Sequence, residues 1–200
     1  MNFSEFEKLV LPITMMNIDI THIRLLHSIL QIGNFKHALE IGSYDGASAI
    51  AFISAMNDGV LGKVDFCDPE FQPRFSELLK HCVRRDDVKL HYCGSHGVIS
   101  DVYDCIFVDG DHSLPCVKVE AELILKYSIE TILAHDTNSS NVGFTNCDGA
   151  MYLMDTLMCN GYRCIQDCVV RPGERTDRGF MFATKNKDLF DKVGPLFNGL

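Results

Sequence analysis

The stretch Ala38-Leu39-Glu40-Ile41-Gly42-Ser43-Tyr44-Asp45-Gly46-Ala47-Ser48 decides the fold of this chain. An apolar run that contains an acid and ends at a glycine is typical of a buried strand, and the small and apolar residues from Ala47 to Met56 indicate a helix packed beneath it. Glycine at both ends of the turn allows a sharp bend and a close ligand, and amide groups at a helix start favour polar or anionic ligand atoms. The stretch therefore predicts a strand, a tight turn and a helix beside a ligand.

The spacing of the turn also distinguishes between ligand classes. A nicotinamide-binding turn has the pattern G-x-G-x-x-G, and the displaced second glycine here argues against a dehydrogenase. The pattern acid-x-Gly-x-x-x-Gly-x-Ser, formed by Glu40, Gly42, Gly46 and Ser48, instead resembles the first motif of the class I S-adenosylmethionine-dependent methyltransferases. This resemblance implies that these residues bind the cofactor, together with the turn residues Ser43, Tyr44 and Asp45.

Length and composition limit the remaining possibilities. Two hundred residues predict one domain with a substantial core. A net charge of -9 makes nucleic acid an unfavoured partner. The nine cysteines are odd in number and no signal sequence precedes them, so we expect a cytoplasmic protein with free thiols. No apolar run approaches the roughly 20 residues of a membrane span, and no membrane association is expected.

The order of segments predicts the architecture. Apolar runs and helical patterns alternate from residue 35 onward, which is typical of a mostly parallel sheet with helices on both faces. The last two runs, Arg163–Val170 and Phe180–Thr184, lack a helix between them, so the final strand should enter antiparallel. We expect a doubly wound α/β core of seven strands at residues 35–200, preceded by a helical arm at residues 1–34, which together resemble a single Rossmann-like methyltransferase domain.

Two polar residues follow the second and third predicted strands, where an open α/β sheet binds its ligand. Asp68 follows the second strand and matches the position of the ribose-binding acid in the resembling family, although an Asp before a proline also begins turns. Ser95 follows the third strand, where the family places a small polar or acidic residue against adenine, and a helix cap is the alternative.

Acids follow the fourth and fifth predicted strands. The sequence V-D-G-D-H-S at 108–113 resembles a branch that includes metal-dependent O-methyltransferases of small hydroxylated molecules. In that branch the acids matching Asp109 and Asp136 hold a cation, and two such carboxylates suit Mg²⁺. A metal-free site with Asp109 near the cofactor's sulfonium is the alternative. The residues beside Asp136 are His135 and Thr137, and neither is the ligand that the family has at this place. Asp111 or Asn138 is the alternative source of the missing ligand.

His112 is the residue that we expect to act as a base. A histidine takes a proton from a hydroxyl near neutral pH, and some relatives of this branch use a D-x-x-H histidine in this way. Its alternatives are a role in loop order or a cofactor contact, and His135 is the reserve base. The resemblance therefore implies catalytic roles for His112 and Asp109.

The expected function is O-methylation of a small-molecule acceptor by S-adenosylmethionine, with possible Mg²⁺ assistance. Nitrogen becomes an equally plausible acceptor atom if no metal binds. A non-catalytic subunit or sensor that binds S-adenosylmethionine is the alternative, and an oxygenase-like enzyme on the same fold ranks last. The polar loop Thr137–Asp148 is the predicted substrate lid, and the apolar arm makes a homodimer a reasonable expectation.

Overall fold

The computed structural model describes residues 3–10, 18–138, 148–169 and 178–198. Its strands are β1 (His37–Ile41), β2 (Lys63–Cys67), β3 (Val88–His91), β4 (Cys105–Val108), β5 (Thr131–His135), β6 (Arg163–Asp167) and β7 (Phe180–Thr184). Its helices are α1 (Phe3–Val10), α2 (Ile20–Gly33), α3 (Ala49–Asn57), α4 (Pro73–Leu79), α5 (Leu114–Lys126), α6 (Asp148–Cys159) and α7 (Lys187–Asn198). Two short 3₁₀ turns occupy Arg85–Asp87 and Ser95–Gly97.

The seven strands form one sheet in the order β3-β2-β1-β4-β5-β7-β6. The neighbours from β3 through β5 pair in parallel, and β7 pairs antiparallel with both β5 and β6. The prediction of a doubly wound, mostly parallel sheet with an antiparallel last strand is confirmed. Strand order reverses direction between β1 and β4, so the carboxyl ends of these strands open the crevice in which such sheets bind ligands.

Two apolar clusters cover the two faces of the sheet. One contains side chains of α1, α2, α3, α4 and α7, and the other contains side chains of α5 and α6. Within β1, Ala38 packs into the first cluster, whereas Leu39 and Ile41 pack into the second. This alternation follows from the two-residue period of a strand and places Glu40 on the same side as α3.

The N-terminal helices are part of the first layer. Helix α2 packs against α3 and α7, and Phe6 of α1 is completely buried in the same cluster. Within the described ranges, every helix is too short or too polar to cross a membrane. Most of the predicted lid at 137–148 and most of the connection between β6 and β7 lie outside the described residues. So does Pro12, which the sequence predicts to end the first helix.

One local prediction was wrong and one helix was missed. The sequence pattern predicts a short helical piece near Val98 to Val102, but the helical turn occupies Ser95–Gly97, directly after β3. Helix α7 was not predicted, because Gly194 and Pro195 break its pattern. It nevertheless forms, with Leu189 and Val193 buried, because apolar burial compensates for a weak local preference.

Candidate active site

The glycine turn brings the ends of β1 and β4 into close backbone contact. Gly42 has a φ of +88°, and a Cβ at this position would lie 2.1 Å from the backbone oxygen of Asp109. Gly46 also has a φ of +88°, and its Cβ would meet Leu78 at 2.7 Å. Gly42 thus excludes a side chain by conformation and by space, and Gly46 disfavours one by its conformation. The glycines that the sequence associated with a ligand are therefore also required by the packing of the protein itself.

Glu40 lies beneath this turn and is fully buried. The Ser48 hydroxyl donates a hydrogen bond to its Oε1, whereas its Oε2 has no partner among the described residues. Burial raises the pKa of Glu40 to about 8, and the hydrogen bond from Ser48 opposes the shift only in part. Glu40 lines neither of the cavities described below, so its position is that of a support for the turn. Ser43 is buried beside it.

The larger cavity of the site has a volume of about 720 Å³ and lies against the ends of β1, β2, β3 and β4. Asp68 and Ser95 both line it, as the sequence predicted for two residues that face one ligand. The Asp68 carboxylate accepts the backbone N–H groups of Tyr44 and Glu70, each at 2.8 Å. These bonds fix its orientation, and each carboxylate oxygen can accept a further hydrogen bond from a ligand hydroxyl.

A smaller cavity of about 230 Å³ adjoins the larger one, and both are lined by Gly42, Tyr44 and Asp109. Tyr44 is half exposed and has a φ of +39°, an unusual conformation for a tyrosine. Asp45 accepts the Ala47 N–H at 3.2 Å. The predicted turn residues therefore surround the junction of the two cavities, and the lining of the smaller cavity also includes Ser43, Ser48, His112, Asp136, Ile18 and Arg178.

Asp109, His112 and Asp136 meet in the smaller cavity. The His112 Nε2 atom lies 3.3 Å from Asp136 Oδ2 and 3.6 Å from Asp109 Oδ1. Asp136 has a φ of +54°, so its backbone adopts a left-handed conformation just after β5. The structure thus brings together the two predicted metal ligands and the predicted base.

A pair of buried histidines lies behind these acids. His135 Nδ1 is 3.2 Å from Asp109 Oδ1 and 3.4 Å from Asp136 Oδ1. Its Nε2 is 3.1 Å from His22 Nδ1 on α2. The Nε2 of His22 lies 3.5 Å from Asp167 Oδ2 on β6. A continuous polar chain therefore connects the N-terminal layer to the acids of the site.

The charges in this cluster shift two pKa values in opposite directions. Burial alone would raise the pKa of Asp109, but His135 and His112 outweigh it and lower that pKa below its ordinary value. Burial alone would lower the pKa of His112, but the hydrogen bond and charge of Asp109 and the charge of Asp136 raise it above 6.5. The cluster therefore favours an ionised Asp109 beside a protonated His112.

The donor set can be compared with that of a cation site. Ligand atoms of Asp109, His112 and Asp136 all lie within 4.8 Å of one another, and two carboxylates with an imidazole suit a divalent cation. Thr137 contributes differently from the family's ligand, because its backbone oxygen and hydroxyl both accept hydrogen bonds from Gln166. Asp111, one of the two alternatives, is exposed, accepts the Ser113 N–H and lies outside the cluster of three. The other, Asn138, donates its backbone N–H to the Arg178 carbonyl oxygen at 2.8 Å.

Sequence reasoning missed several residues at the site. Glu120 of α5 is almost completely buried in the lining of the larger cavity, and Gly149 of α6 donates its N–H to the His112 carbonyl oxygen at 3.1 Å. A Cβ on Gly149 would lie 2.5 Å from that oxygen. Glu120 could have been identified in the sequence as an acid on the apolar face of a predicted helix. Gly149 could have been identified as a small residue at the start of a predicted helix.

Comparison with known proteins assigns part of the chain to a domain family. A family model described as a methyltransferase domain matches residues 39–137, which contain every strand end that lines the larger cavity. No curated protein matches the chain.

Solved structures share the fold at low sequence identity. An O-methyltransferase from Bacillus cereus in complex with S-adenosylhomocysteine (SAH) has a TM-score of 0.68 at 17% identity, covering 91% of this chain and 89% of its own. TomG, an O-methyltransferase from Streptomyces achromogenes involved in tomaymycin synthesis and bound to S-adenosylmethionine (SAM), has a TM-score of 0.64 at 14% identity, with coverages of 92% and 98%. The SAH-bound methyltransferase PaMTH1 from Podospora anserina has a TM-score of 0.55 at 14% identity, with coverages of 94% and 97%.

The family assignment therefore rests on a sequence match and on a fold that agree with each other. The matched segment contains the glycine turn, Asp68, Ser95 and the acids of the smaller cavity. The topology, with β7 inserted antiparallel between β5 and β6, was expected from the resemblance and is observed. This chain belongs to the class I S-adenosylmethionine-dependent methyltransferases.

Proposed function

We propose that this protein transfers the methyl group of SAM to a hydroxyl oxygen of a small molecule. The observation that carries the proposal is the junction of the two cavities at Gly42 and Tyr44. The larger cavity suits the adenosyl part of the cofactor, and the lining of the smaller one includes an imidazole, that of His112, close to the carboxylates of Asp109 and Asp136. A methyl group at the junction would face His112.

The larger cavity supports binding of an adenosyl group through a mostly apolar lining that carries a few polar side chains. Asp68 is held by two backbone N–H groups and can accept the ribose hydroxyl protons. Ser95 follows β3 at the predicted adenine end. Tyr44 and Asp45 border the junction, where the methionine part would lie. Glu40 and Ser48 are proposed to support the turn from below rather than to contact the cofactor.

The transfer itself requires little more than alignment and removal of a proton. The acceptor oxygen attacks the methyl carbon, the carbon–sulfur bond breaks, and its electron pair remains on the sulfur of SAH. The acceptor's proton passes to the imidazole of His112. Asp109 and Asp136 stabilise the imidazolium that forms, because both carboxylates lie within 3.6 Å of its Nε2.

A divalent cation fits the same cluster, and Mg²⁺ is the cation that the resemblance suggests. Asp109 and Asp136 would hold it, with His112 as a third donor or as a free base. When bound, such a cation lowers the pKa of a coordinated hydroxyl and fixes its position. His135 would then orient both carboxylates from behind, since its Nδ1 lies within 3.4 Å of each.

The first experiment measures binding of SAH by calorimetry. We expect micromolar binding, as is common for enzyme ligands, and a loss of about 10- to 100-fold in affinity for Asp68→Ala, because the ribose hydroxyls lose a charged acceptor. Asp86→Ala is the matched control, because Asp86 lies in the turn before β3 and outside the larger cavity. Equal affinity of the Asp68 variant and the unmodified protein would remove the ribose assignment.

The second experiment tests methyl transfer. The protein is incubated with SAM carrying a labelled methyl group and a panel of catechols, phenols, hydroxylated sugars and amines. Label in a hydroxylated compound supports the proposal, and label in amines alone contradicts oxygen as the acceptor atom. Tight binding of the cofactor without transfer to small molecules in a cell extract would instead support a binding subunit or sensor.

A further inference from the structure

A second cluster of potential metal ligands lies in the lining of the larger cavity. His96 is on the 3₁₀ turn after β3, and Cys116 and Glu120 are one helical turn apart on α5. All three line the larger cavity, and their ligand atoms lie within 4.8 Å of one another. None of them belongs to the glycine turn or to the cluster of Asp109, His112 and Asp136.

The distances in this cluster resemble those of a tetrahedral zinc site. With Zn–S bonds of about 2.3 Å and Zn–N bonds of about 2.0–2.1 Å, a tetrahedral angle separates nitrogen and sulfur by about 3.5 Å. His96 Nε2 and Cys116 Sγ are 3.5 Å apart. Cys116 Sγ and Glu120 Oε1 are 3.8 Å apart. A cation could therefore contact all three atoms with small side-chain movements.

Glu120 provides an independent indication of a ligand. Its side chain is 1% exposed, and its Oε2 has no hydrogen-bond partner among the described residues. A buried carboxylate oxygen without a partner is costly unless a cation or donor satisfies it. The thiol of Cys116 and the ring of His96 face the same carboxylate, and thiolate with imidazole selects zinc-like cations over Mg²⁺.

We propose that His96, Cys116 and Glu120 bind a zinc-like divalent cation, and that this cation and the adenosyl group exclude each other from the larger cavity. The metal–sulfur bond forms as the S–H bond breaks, and the thiol proton passes to water. His96 Nε2, which also lies 3.3 Å from the Cys116 carbonyl oxygen, would turn its lone pair to the cation. The exclusion rests on the proposed cofactor cleft, whereas the cation site does not.

Cobalt is the probe for the cation site, because Co²⁺ replaces Zn²⁺ and its bond to a thiolate gives a charge-transfer band in the near ultraviolet. The metal-free full-length protein is titrated with Co²⁺ in the presence of excess Mg²⁺, which occupies the aspartate cluster. We expect a band that saturates at one equivalent and disappears on addition of Zn²⁺. Absence of the band would overturn the proposal.

Variants identify the ligands. Cys116→Ser should abolish the band, and His96→Gln should weaken Co²⁺ binding at least tenfold. The matched control is Cys93→Ser, since Cys93 is an exposed cysteine that lines the same cavity but lies outside the cluster. It should leave the band unchanged. A band that survives in Cys116→Ser, or that is lost in Cys93→Ser, would contradict the assignment. Because His96 is exposed, its variant is expected to fold even where the cysteine variant does not.

SAH then tests the exclusion. Saturating SAH should weaken Zn²⁺ binding at least tenfold, and the effect should be reciprocal. If SAH binds and Zn²⁺ affinity is unchanged, the two ligands occupy separate places and the exclusion is wrong. If the cobalt band forms but SAH does not bind, the cation site stands and the proposed function fails. The two failures are therefore distinguishable.

Discussion

Glu40, which is fully buried, and Asp109, which lines both cavities, are acids of adjacent strands in the same sheet, yet their surroundings favour different protonation states. Glu40 has a serine as its hydrogen-bond donor, and burial raises its pKa to about 8. Asp109 lies between His112 and His135, and these histidines lower its pKa despite burial. Partners, rather than depth, thus decide which carboxyl is ionised at neutral pH. The protonated Glu40 is suited to supporting the turn, and the ionised Asp109 is suited to stabilising an imidazolium or holding a cation.

The largest expected effect concerns the ionised member of this pair. Asp109→Asn should lower kcat by at least about 100-fold, because the variant loses a charge that orients both histidines and would hold a cation. Glu40→Gln, the matched amide substitution, should change kcat by no more than about threefold, since Glu40 lines neither cavity. Steady-state transfer of labelled methyl groups measures both. Similar losses in the two variants would refute the contrast.

The second effect concerns His112, whose pKa Asp109 raises. Only the neutral imidazole can accept a proton, so kcat/KM without added metal should rise with pH through an apparent pKa above 6.5. His112→Gln should lower kcat about 100-fold or more and remove this limb. Profiles of kcat/KM against pH, recorded with a chelator, measure this rise. With excess Mg²⁺ the rise should occur at lower pH, because a nearby cation disfavours the imidazolium form of His112. If the rise with pH persists in the His112→Gln variant, the group that titrates is another residue.

The third effect is on stability and concerns Glu40. Its pKa is about 8 when folded and near 4.5 when unfolded, so between these values the unfolded state releases a proton that the folded state keeps. Wild-type stability should therefore fall with rising pH in this window, by up to about 1.4 kcal/mol per pH unit from this residue. Glu40→Gln lacks this contribution. Urea unfolding at about pH 5 and about pH 8 should show the variant gaining relative to the wild type at the higher pH.

The smallest effect is expected for Ser48→Ala. Its hydroxyl donates to the Glu40 carboxyl, and removal should cost about 1 kcal/mol, with the larger cost where Glu40 is ionised. The same urea experiment across pH measures it. Ala47→Ser is the control, because it changes the number of hydroxyl groups at the same turn by one. A cost independent of pH would mean that the serine acts through packing instead.

Much of the fold was predictable because its signals are local. The apolar runs and the glycine turn gave the strands of the parallel core, and the absence of a helix between β6 and β7 gave the antiparallel insertion. Helix α7 was missed because Gly194 and Pro195 are unfavourable in isolation and only tertiary packing compensates for them. The turn at Ser95–Gly97 was misplaced because its residues have no helical periodicity.

The site was predictable where it depends on strand ends. Parallel strands end at one edge of a sheet, so Asp68, Ser95, Asp109 and Asp136 could be grouped from sequence alone. His22 and Glu120 could not be grouped in this way, because both lie on helices and reach the site only through packing. The charge state of Glu40 was also hidden, since a sequence shows an acid but not its burial.

The contact between His22 and His135 connects an N-terminal helix to the aspartate cluster, and this connection matters for protein engineering. His22 belongs to α2, before the first strand, and its ring reaches the back of the aspartate cluster through His135. Shortening this segment, or exchanging it with that of a homologue, would thus alter the side chains packed behind Asp109 and Asp136. A chimera designed to change acceptor preference should therefore exchange α2 and β5 as a unit.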